Sequence, residues 1–356
     1  MESLERLPNI VRLSERVVRV LGLNPSRFTL QGTNTYLIGK GSRKVLLDTG
    51  EGIPEYIPLL QSALDKELQG ATISKVICSH WHHDHVGGIQ DVMSFLAARN
   101  IQLHDPPTTA SDAASSSAPV TSTVDLVDVD TRHVQSAPGI FKFLNPEHDD
   151  PETRFQAIQD LDEIKVDDQT TLVTLHTPGH TSDHCSFYLK EENTLFTADC
   201  VLGQGTAVFE DLSAYIKSLE RQLTVGGSSP SYKIYPGHGP VIQDGPAKIR
   251  DYIKHRLDRE KQILQVLQST GSNGGSPPLS SLPSTAPTAV LTAGPKTAME
   301  IVAVIYEAYP VSLHAAAEHQ VLLHLKKLEK DGKVHRDPAE EISDALWTVS
   351  TTQASL

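Results

Sequence analysis

Cysteine is scarce in this 356-residue chain, and long apolar runs are missing from it. The three cysteines, Cys78, Cys185 and Cys200, are an odd number without Cys-x-x-Cys spacing, which favours reduced thiols over a disulfide-bonded scaffold. No stretch approaches the roughly 18 apolar residues that a membrane span requires. The first residues carry no apolar signal core, and Glu2 and Glu5 are atypical of a transit peptide. These absences predict a cytoplasmic protein, with non-standard mitochondrial import as the alternative.

Positive charge is also in short supply. The chain has 31 Lys and Arg against 44 Asp and Glu, a formal net charge of −13 and a pI near 5.6. Such an acidic balance opposes the phosphate contacts on which nucleic-acid affinity normally depends. Hydrophobic residues make up 38% of the chain, below the globular average, and polar segments account for part of that deficit. The length allows one large domain with a small one, or two moderate domains.

What the chain does contain is a dense set of metal-ligand side chains. The apolar run Val76-Ile77-Cys78 is followed by His80-Trp81-His82-His83-Asp84-His85. Imidazole nitrogen and carboxylate oxygen are the ligands that catalytic zinc accepts. Four such residues in His-x-His-x-Asp-His order favour two neighbouring ions over one tetrahedral ion. A solvated histidine-rich loop is the alternative, which the ordered spacing disfavours.

Three further ligand-type residues follow short apolar segments downstream. His180 comes after residues 170–175, Asp199 closes the run 194–198, and His238 follows Lys233-Ile234. Two of them are preceded by Pro-Gly, a turn that fixes the backbone and aims the next side chain. One such residue would be ordinary. The full series indicates a metal site built at the ends of several strands.

These residues resemble the motifs of the metallo-β-lactamase superfamily, which cover most of the range from Asn24 to Pro240. The resemblance implies an α/β fold, specifically an αββα sandwich, and a hydrolase that holds two Zn²⁺ ions. It implies seven metal ligands, which are His80, His82 and His180 for one zinc, Asp84, His85 and His238 for the other, and Asp199 as the bridge.

The chemistry that this resemblance implies is hydrolysis by a metal-bridging hydroxide. Asp84 would be the catalytic residue that orients this hydroxide and could also move a proton to the leaving group, but its role as a metal ligand is preferred over this acid/base role. Asp48, in the family's first motif, would order the metal loop without binding metal. His83 falls at a position that the family leaves variable, so it is not expected to be a ligand.

Composition divides the chain into three expected parts. Residues 1–268 are the expected catalytic domain, with a partly low-complexity surface insertion at 105–157. Residues 269–296 are a Ser/Gly/Pro-rich flexible linker. Residues 297–356 are a small winged-helix-like domain, because helical patterns at 297–306 and 314–330 precede a turn and a short strand.

The winged-helix-like region carries a group of basic residues, which are Lys326, Lys327, Lys330, Lys333 and Arg336. Winged helices often bind nucleic acid, and these side chains could contribute to such a surface. Lysines on the wet face of an amphipathic helix are also what solubility alone produces, and that interpretation is preferred.

Residues 29–37, 203–212 and 322–330 resemble one subgroup of the superfamily. It contains the animal mitochondrial β-lactamase-like endoribonucleases and the fungal thioesterases that release polyketides from acyl carrier proteins. The sequence favours an acyl thioesterase of the latter type, acting on an acyl carrier protein or a small acyl thioester. The alternative is a zinc-dependent endoribonuclease acting on single-stranded RNA. A non-catalytic binding module is the third possibility, which the intact ligand set disfavours.

Overall fold

The computed structural model describes residues 4–104, 139–226, 231–269, 294–339 and 341–350. The strands are β1 (Ile10–Arg12), β2 (Val17–Leu21), β3 (Asn34–Ile38), β4 (Arg43–Leu47), β5 (Thr72–Cys78), β6 (Gly139–Lys142), β7 (Phe155–Ala157), β8 (Glu163–Asp167), β9 (Thr170–His176), β10 (Cys185–Leu189), β11 (Thr194–Ala198), β12 (Lys233–Pro236), β13 (Val334–Arg336) and β14 (Trp347–Val349). The α-helices are α1 (Tyr56–Ser62), α2 (His83–Val86), α3 (Ile89–His104), α4 (Leu212–Leu223), α5 (Gly245–Gln268), α6 (Ala298–Ile305) and α7 (His314–Lys330).

Two sheets face each other in the main body. One has seven strands in the order β1 to β7, and the other has five in the order β12-β11-β10-β9-β8. Because side chains alternate along a strand, Val45 and Leu47 of β4 enter the core between the sheets, where Phe187 and Phe196 of the second sheet meet them. Leu46 points the other way, into a second core.

Helices cover the outer face of each sheet. Leu60 of α1 and Val92 of α3 pack on the seven-stranded sheet. Tyr215 of α4 and Ile249 of α5 pack with Ile234 on the five-stranded sheet. The resulting order of layers is α, β, β, α, which confirms the predicted sandwich.

Within the expected surface insertion at 105–157, residues 139–142 and 155–157 form the last two strands of the seven-stranded sheet. β6 pairs in parallel with β5, and β7 pairs in parallel with β6. Their short apolar runs are separated by the charged residues around 147–150, so the pattern along the chain concealed both strands. The low-complexity stretch 105–138 lies outside the described residues.

The C-terminal unit is a winged helix, as predicted. α6 and α7 precede the antiparallel pair β13–β14, in which Val334 is opposite Val349. Its core, centred on Trp347, also includes Ile263, Val266 and Leu267 of α5. The long helix α5 is therefore shared between the catalytic body and the winged helix. Most of the predicted linker, residues 270–293, lies outside the described residues, as do residues 351–356.

Candidate metal centre

Four strand ends bring the predicted ligands to one edge of the sandwich. His80 to His85 follow β5, His180 follows β9, Asp199 follows β11 directly, and His238 follows β12. Asn34 ties the two sheets together there, because its side-chain amide donates to the carbonyls of Pro236 and Gly239, both at 2.9 Å. Gly237 fits this crowded turn because a Cβ at that position would lie 2.3 Å from Asp199 Oδ1.

Three imidazole nitrogens converge in a first group. His180 Nε2 lies 3.2 Å from His80 Nε2 and 3.0 Å from His82 Nδ1, and the latter two atoms are 3.1 Å apart. Asp199 Oδ2 completes the group, 3.7 Å from His180 Nε2. Two nitrogens bound to one tetrahedral Zn²⁺ at about 2.1 Å would lie roughly 3.4 Å apart. The spacing therefore suits one shared cation.

Asp84, His85, Asp199 and His238 form a second group. His238 Nε2 is 3.1 Å from Asp84 Oδ2 and 3.3 Å from Asp199 Oδ2. His85 Nε2 and Asp199 Oδ1 face each other at 3.3 Å, yet each is buried without a hydrogen-bond partner. Buried polar atoms rarely remain unsatisfied, so these two orphaned atoms fit the coordination of a metal ion. Asp199 is common to both groups.

Hydrogen bonds at the opposite ring nitrogens orient the imidazoles. His180 Nδ1 donates to the carbonyl of Val208 at 2.9 Å, and His85 Nδ1 donates to Asp48 Oδ2 at 2.8 Å. His80 Nδ1 lies 2.9 Å from the hydroxyl of Ser79. Bonds of this kind fix the tautomer of a metal-ligating histidine. They leave Nε2 of all three rings available to a cation.

Asp48 is hydrogen-bonded to the loop that carries the first predicted ligands. It has a left-handed backbone, with φ of 60°. Its Oδ1 accepts from the Ser79 backbone N–H at 2.7 Å, and its Oδ2 accepts from the Ser79 hydroxyl at 2.9 Å as well as from His85. Since that hydroxyl also contacts His80, one carboxylate supports a histidine of each group.

Replacing Asp48 by asparagine is therefore expected to weaken metal binding about 10- to 100-fold, the usual effect of removing such a supporting partner. Asparagine tolerates the left-handed backbone, but its amide nitrogen cannot accept a hydrogen bond from His85. Competition with a chelator measures the change. Asp65→Asn, which removes a surface carboxylate paired with Arg99, is the control. Equal metal affinity in both variants would contradict this role of Asp48.

The two groups differ in their electrostatics. Burial, aided by neighbouring histidines, holds the pKa of His80 well below its usual value and lowers the pKa of His82 to about 4. Metal ligation needs such neutral imidazoles. Burial also opposes protonation of the two histidines in the second group, but the nearby carboxylates of Asp84 and Asp199 outweigh it. They raise the pKa of His85, and they raise the pKa of His238 to about 9. The second group therefore attracts positive charge, which a divalent cation would supply.

A cleft of about 590 Å³ opens onto both groups. Its walls include apolar side chains from the loop between β2 and β3 and from the segment after β11, which are Phe28, Leu30, Leu202, Ala207 and Val208. Phe28 is 77% exposed and Val208 is 50% exposed, so the mouth of the cleft offers apolar surface to a ligand. Among the described residues that line it, Arg27 is the one lysine or arginine.

One buried histidine beside the site was not predicted. His184 has no exposed surface, its Nδ1 lies 2.9 Å from Thr177 Oγ1, and its ring centroid is 5.3 Å from that of His80. His184 follows His180 by four residues in the same turn, and this spacing was the signal in the sequence that could have identified it. By contrast His83 is exposed on α2 and belongs to neither group.

Comparisons with known proteins agree with this geometry. Residues 28–238 match the profile of the Metallo-beta-lactamase superfamily, and residues 297–347 match that of the Beta-lactamase associated winged helix domain. A Beta-lactamase-like protein 2 homolog of Drosophila melanogaster is 37% identical, over 92% of each chain. The Atrochrysone carboxyl ACP thioesterase nsrC of Aspergillus novofumigatus is 35% identical, over 77% of this chain and 70% of that protein.

A solved structure has the same fold at low sequence identity. A beta-lactamase domain protein from Burkholderia ambifaria superposes with a TM-score of 0.62 at 16% identity, covering 97% of this chain and 96% of its own. The fold, the two matched profiles and the full-length relatives agree. The chain therefore belongs to the metallo-β-lactamase superfamily of hydrolases and carries the associated winged helix in its C-terminal part.

Proposed function

We propose that this hydrolase is an acyl thioesterase that uses two Zn²⁺ ions held by the seven converging residues. The observation that carries the proposal is the cleft itself, which has apolar walls and a single arginine beside two candidate metal sites. A thioester presents one carbonyl oxygen on which charge develops, and an acyl chain needs apolar surface. Both requirements match the lining of this cleft.

Hydrolysis adds water to the carbonyl carbon and breaks the C–S bond, giving a carboxylic acid and a thiol. Two bound Zn²⁺ ions would supply Lewis acidity, which lowers the pKa of water and polarises the carbonyl. Asp84 lines the cleft, and its Oδ2 is fixed 3.1 Å from His238 Nε2. The neighbouring histidines overcome burial and lower the pKa of Asp84, so its carboxylate is ionised and can orient the attacking water as a hydrogen-bond acceptor.

Charge disfavours RNA as the substrate of this cleft. An RNA strand brings several phosphates, each of which needs a cationic partner for tight binding. Arg27 and Glu51 both line the described cleft, so even its single arginine is offset by a carboxylate. On α7, Lys327 is engaged 2.9 Å from Glu260 and 2.8 Å from Asp331. The predicted basic group is therefore partly neutralised within the fold.

The partner we propose is an acyl carrier protein or a small acyl thioester. The name of the fungal relative from Aspergillus novofumigatus supports this choice, because it is a thioesterase of an acyl carrier protein substrate. Single-stranded RNA remains the second candidate. It is favoured by the winged helix, where Lys326 and Lys330 are exposed on α7.

We also retain the cytoplasm as the proposed location. Cys78, Cys185 and Cys200 are buried free thiols, as a reducing compartment would permit. No helix in the described part of the chain is long and apolar enough to cross a membrane.

Assays on acyl-carrier-protein thioesters and on single-stranded RNA, run side by side on the zinc-loaded protein, test the substrate. We expect thioester hydrolysis to dominate and to stay within about twofold of the parent in a Lys326→Ala/Lys330→Ala variant, because exposed substitutions cost little. A strong, salt-sensitive RNA cleavage that this variant loses would identify an endoribonuclease instead.

A further inference from the structure

Residues 200–210, here called the cleft segment, connect the ligands of the candidate metal centre. The segment begins next to Asp199, and its Val208 carbonyl accepts the hydrogen bond from His180 Nδ1 at 2.9 Å. The Gly203 N–H donates to the carbonyl of His238 at 2.9 Å. Three of the seven proposed ligands therefore depend on where this one segment lies.

Helix α5 holds the cleft segment at three points. The Tyr252 hydroxyl accepts from the Leu202 N–H at 3.1 Å and donates to the Gly205 carbonyl at 3.0 Å. One turn further along the helix, Arg256 Nη2 donates to the Ala207 carbonyl at 2.7 Å. Two side chains of α5 thus fix the segment on both sides of its apolar wall.

Arg256 is an unusual residue for a purely structural role. It is only 6% exposed, and its guanidinium carbon lies 4.7 Å from the centre of the Phe209 ring. Among the described residues no carboxylate lies within ion-pair distance of it, and its Nε is buried without a partner. Burying a cation without a counter-charge is costly. The guanidinium is instead held by the Ala207 carbonyl and by the faces of the Phe209 and Tyr215 rings.

The same helix and ring connect to the winged helix. His324 of α7 meets Phe209 edge-on, with ring centroids 6.2 Å apart at 89°. Leu323 enters the core beside α5, and Lys327 pairs with the buried carboxylate of Glu260. The described part of the winged helix therefore packs behind the wall of the cleft, and none of its described residues lines the cleft.

We infer that Tyr252 and Arg256 are positioning residues, which hold the cleft segment so that Val208 orients His180 toward its metal. The winged helix supports this arrangement from behind through Phe209. The inference rests on the proposed metal-ligand role of His180, but it does not depend on which substrate is hydrolysed.

Tyr252→Phe and Arg256→Met remove the donors while keeping side chains of similar volume, and Arg256→Lys restores a donor to Ala207. The matched control is Arg259→Met on the same helix, whose guanidinium stacks on Tyr306 and is not among the partners of the cleft segment. The readouts are zinc affinity by chelator competition, the absorption spectrum of the Co²⁺-loaded protein, kcat and KM, and the melting temperature.

We expect Tyr252→Phe and Arg256→Met to bind zinc about 10-fold more weakly, at the low end for residues that support a metal ligand. The Co²⁺ spectrum should shift and kcat should fall while KM is kept. Arg256→Lys should recover most of the affinity. If Arg256→Met does not fold, Tyr252→Phe, which loses only a hydroxyl, decides the question.

Wild-type zinc affinity and an unchanged Co²⁺ spectrum in Tyr252→Phe would overturn the inference. So would an equal loss in Arg259→Met, which would show a general effect of helix stability. A parent protein that binds no zinc would instead defeat the proposed function, so the two failures are distinguishable.

Discussion

Replacing Asp199 by alanine is expected to lower kcat/KM for thioester hydrolysis by at least about 10³-fold. Asp199 is the one residue common to both candidate metal groups, lying 3.3 Å from His85 through Oδ1 and 3.3 Å from His238 through Oδ2. Metal ions supply several kcal/mol of charge stabilisation in the transition state, and each 1.36 kcal/mol corresponds to about tenfold in rate. Removing the shared carboxylate should therefore affect both ions together.

Elemental analysis provides an independent measurement of the same change. We expect two zinc ions per chain in the parent protein after reconstitution and fewer in Asp199→Ala. His80→Ala, which removes a nitrogen from the first group alone, should likewise abolish hydrolysis. Asp168→Ala, at an exposed carboxylate between β8 and β9, is the control and should keep both metal and activity. One ion or fewer in the parent would contradict the dinuclear centre, and activity in metal-depleted Asp199→Ala would contradict the mechanism.

Individual strands and helices could be predicted where the hydrophobic pattern of the sequence matches the residues that are buried in the fold. The run 194–198 is a strand with every residue buried, and residues 314–330 form a helix whose apolar positions face the core. The seven proposed ligands could be found because each follows a strand in a recognisable order. The structure brings all seven together in two groups, and their role as ligands stays a prediction.

Long-range contacts could not be predicted in the same way. β6 was missed because Gly139–Lys142 has only four residues and is followed by a charged loop, so its strand character comes from pairing with β5. Arg256 was missed because its partner Ala207 lies 49 residues away. A cationic residue within an amphipathic helix looks like part of the solvated face, and tertiary packing alone shows that it is buried.

Lys142, at the end of β6, gives the second large expected effect, which is on stability. Its side chain has no exposed surface, and its Nζ lies 2.6 Å from Asp149 and 2.5 Å from Asp183. Asp183 also accepts from the Thr181 hydroxyl at 2.7 Å, in the turn that follows His180. The lysine therefore links the seven-stranded sheet to the turn that carries a proposed ligand.

Lys142→Met should cost about 3–5 kcal/mol of unfolding free energy, because breaking a buried ion pair leaves uncompensated charge in the interior. The melting temperature should fall by roughly 10 °C. Lys190→Met, which breaks an exposed pair with Glu163, should leave it nearly unchanged. Adding Asp149→Asn and Asp183→Asn to Lys142→Met removes the stranded charges and should recover much of the loss. A triple variant no more stable than Lys142→Met would show that lost packing, and not unpaired charge, is the cause.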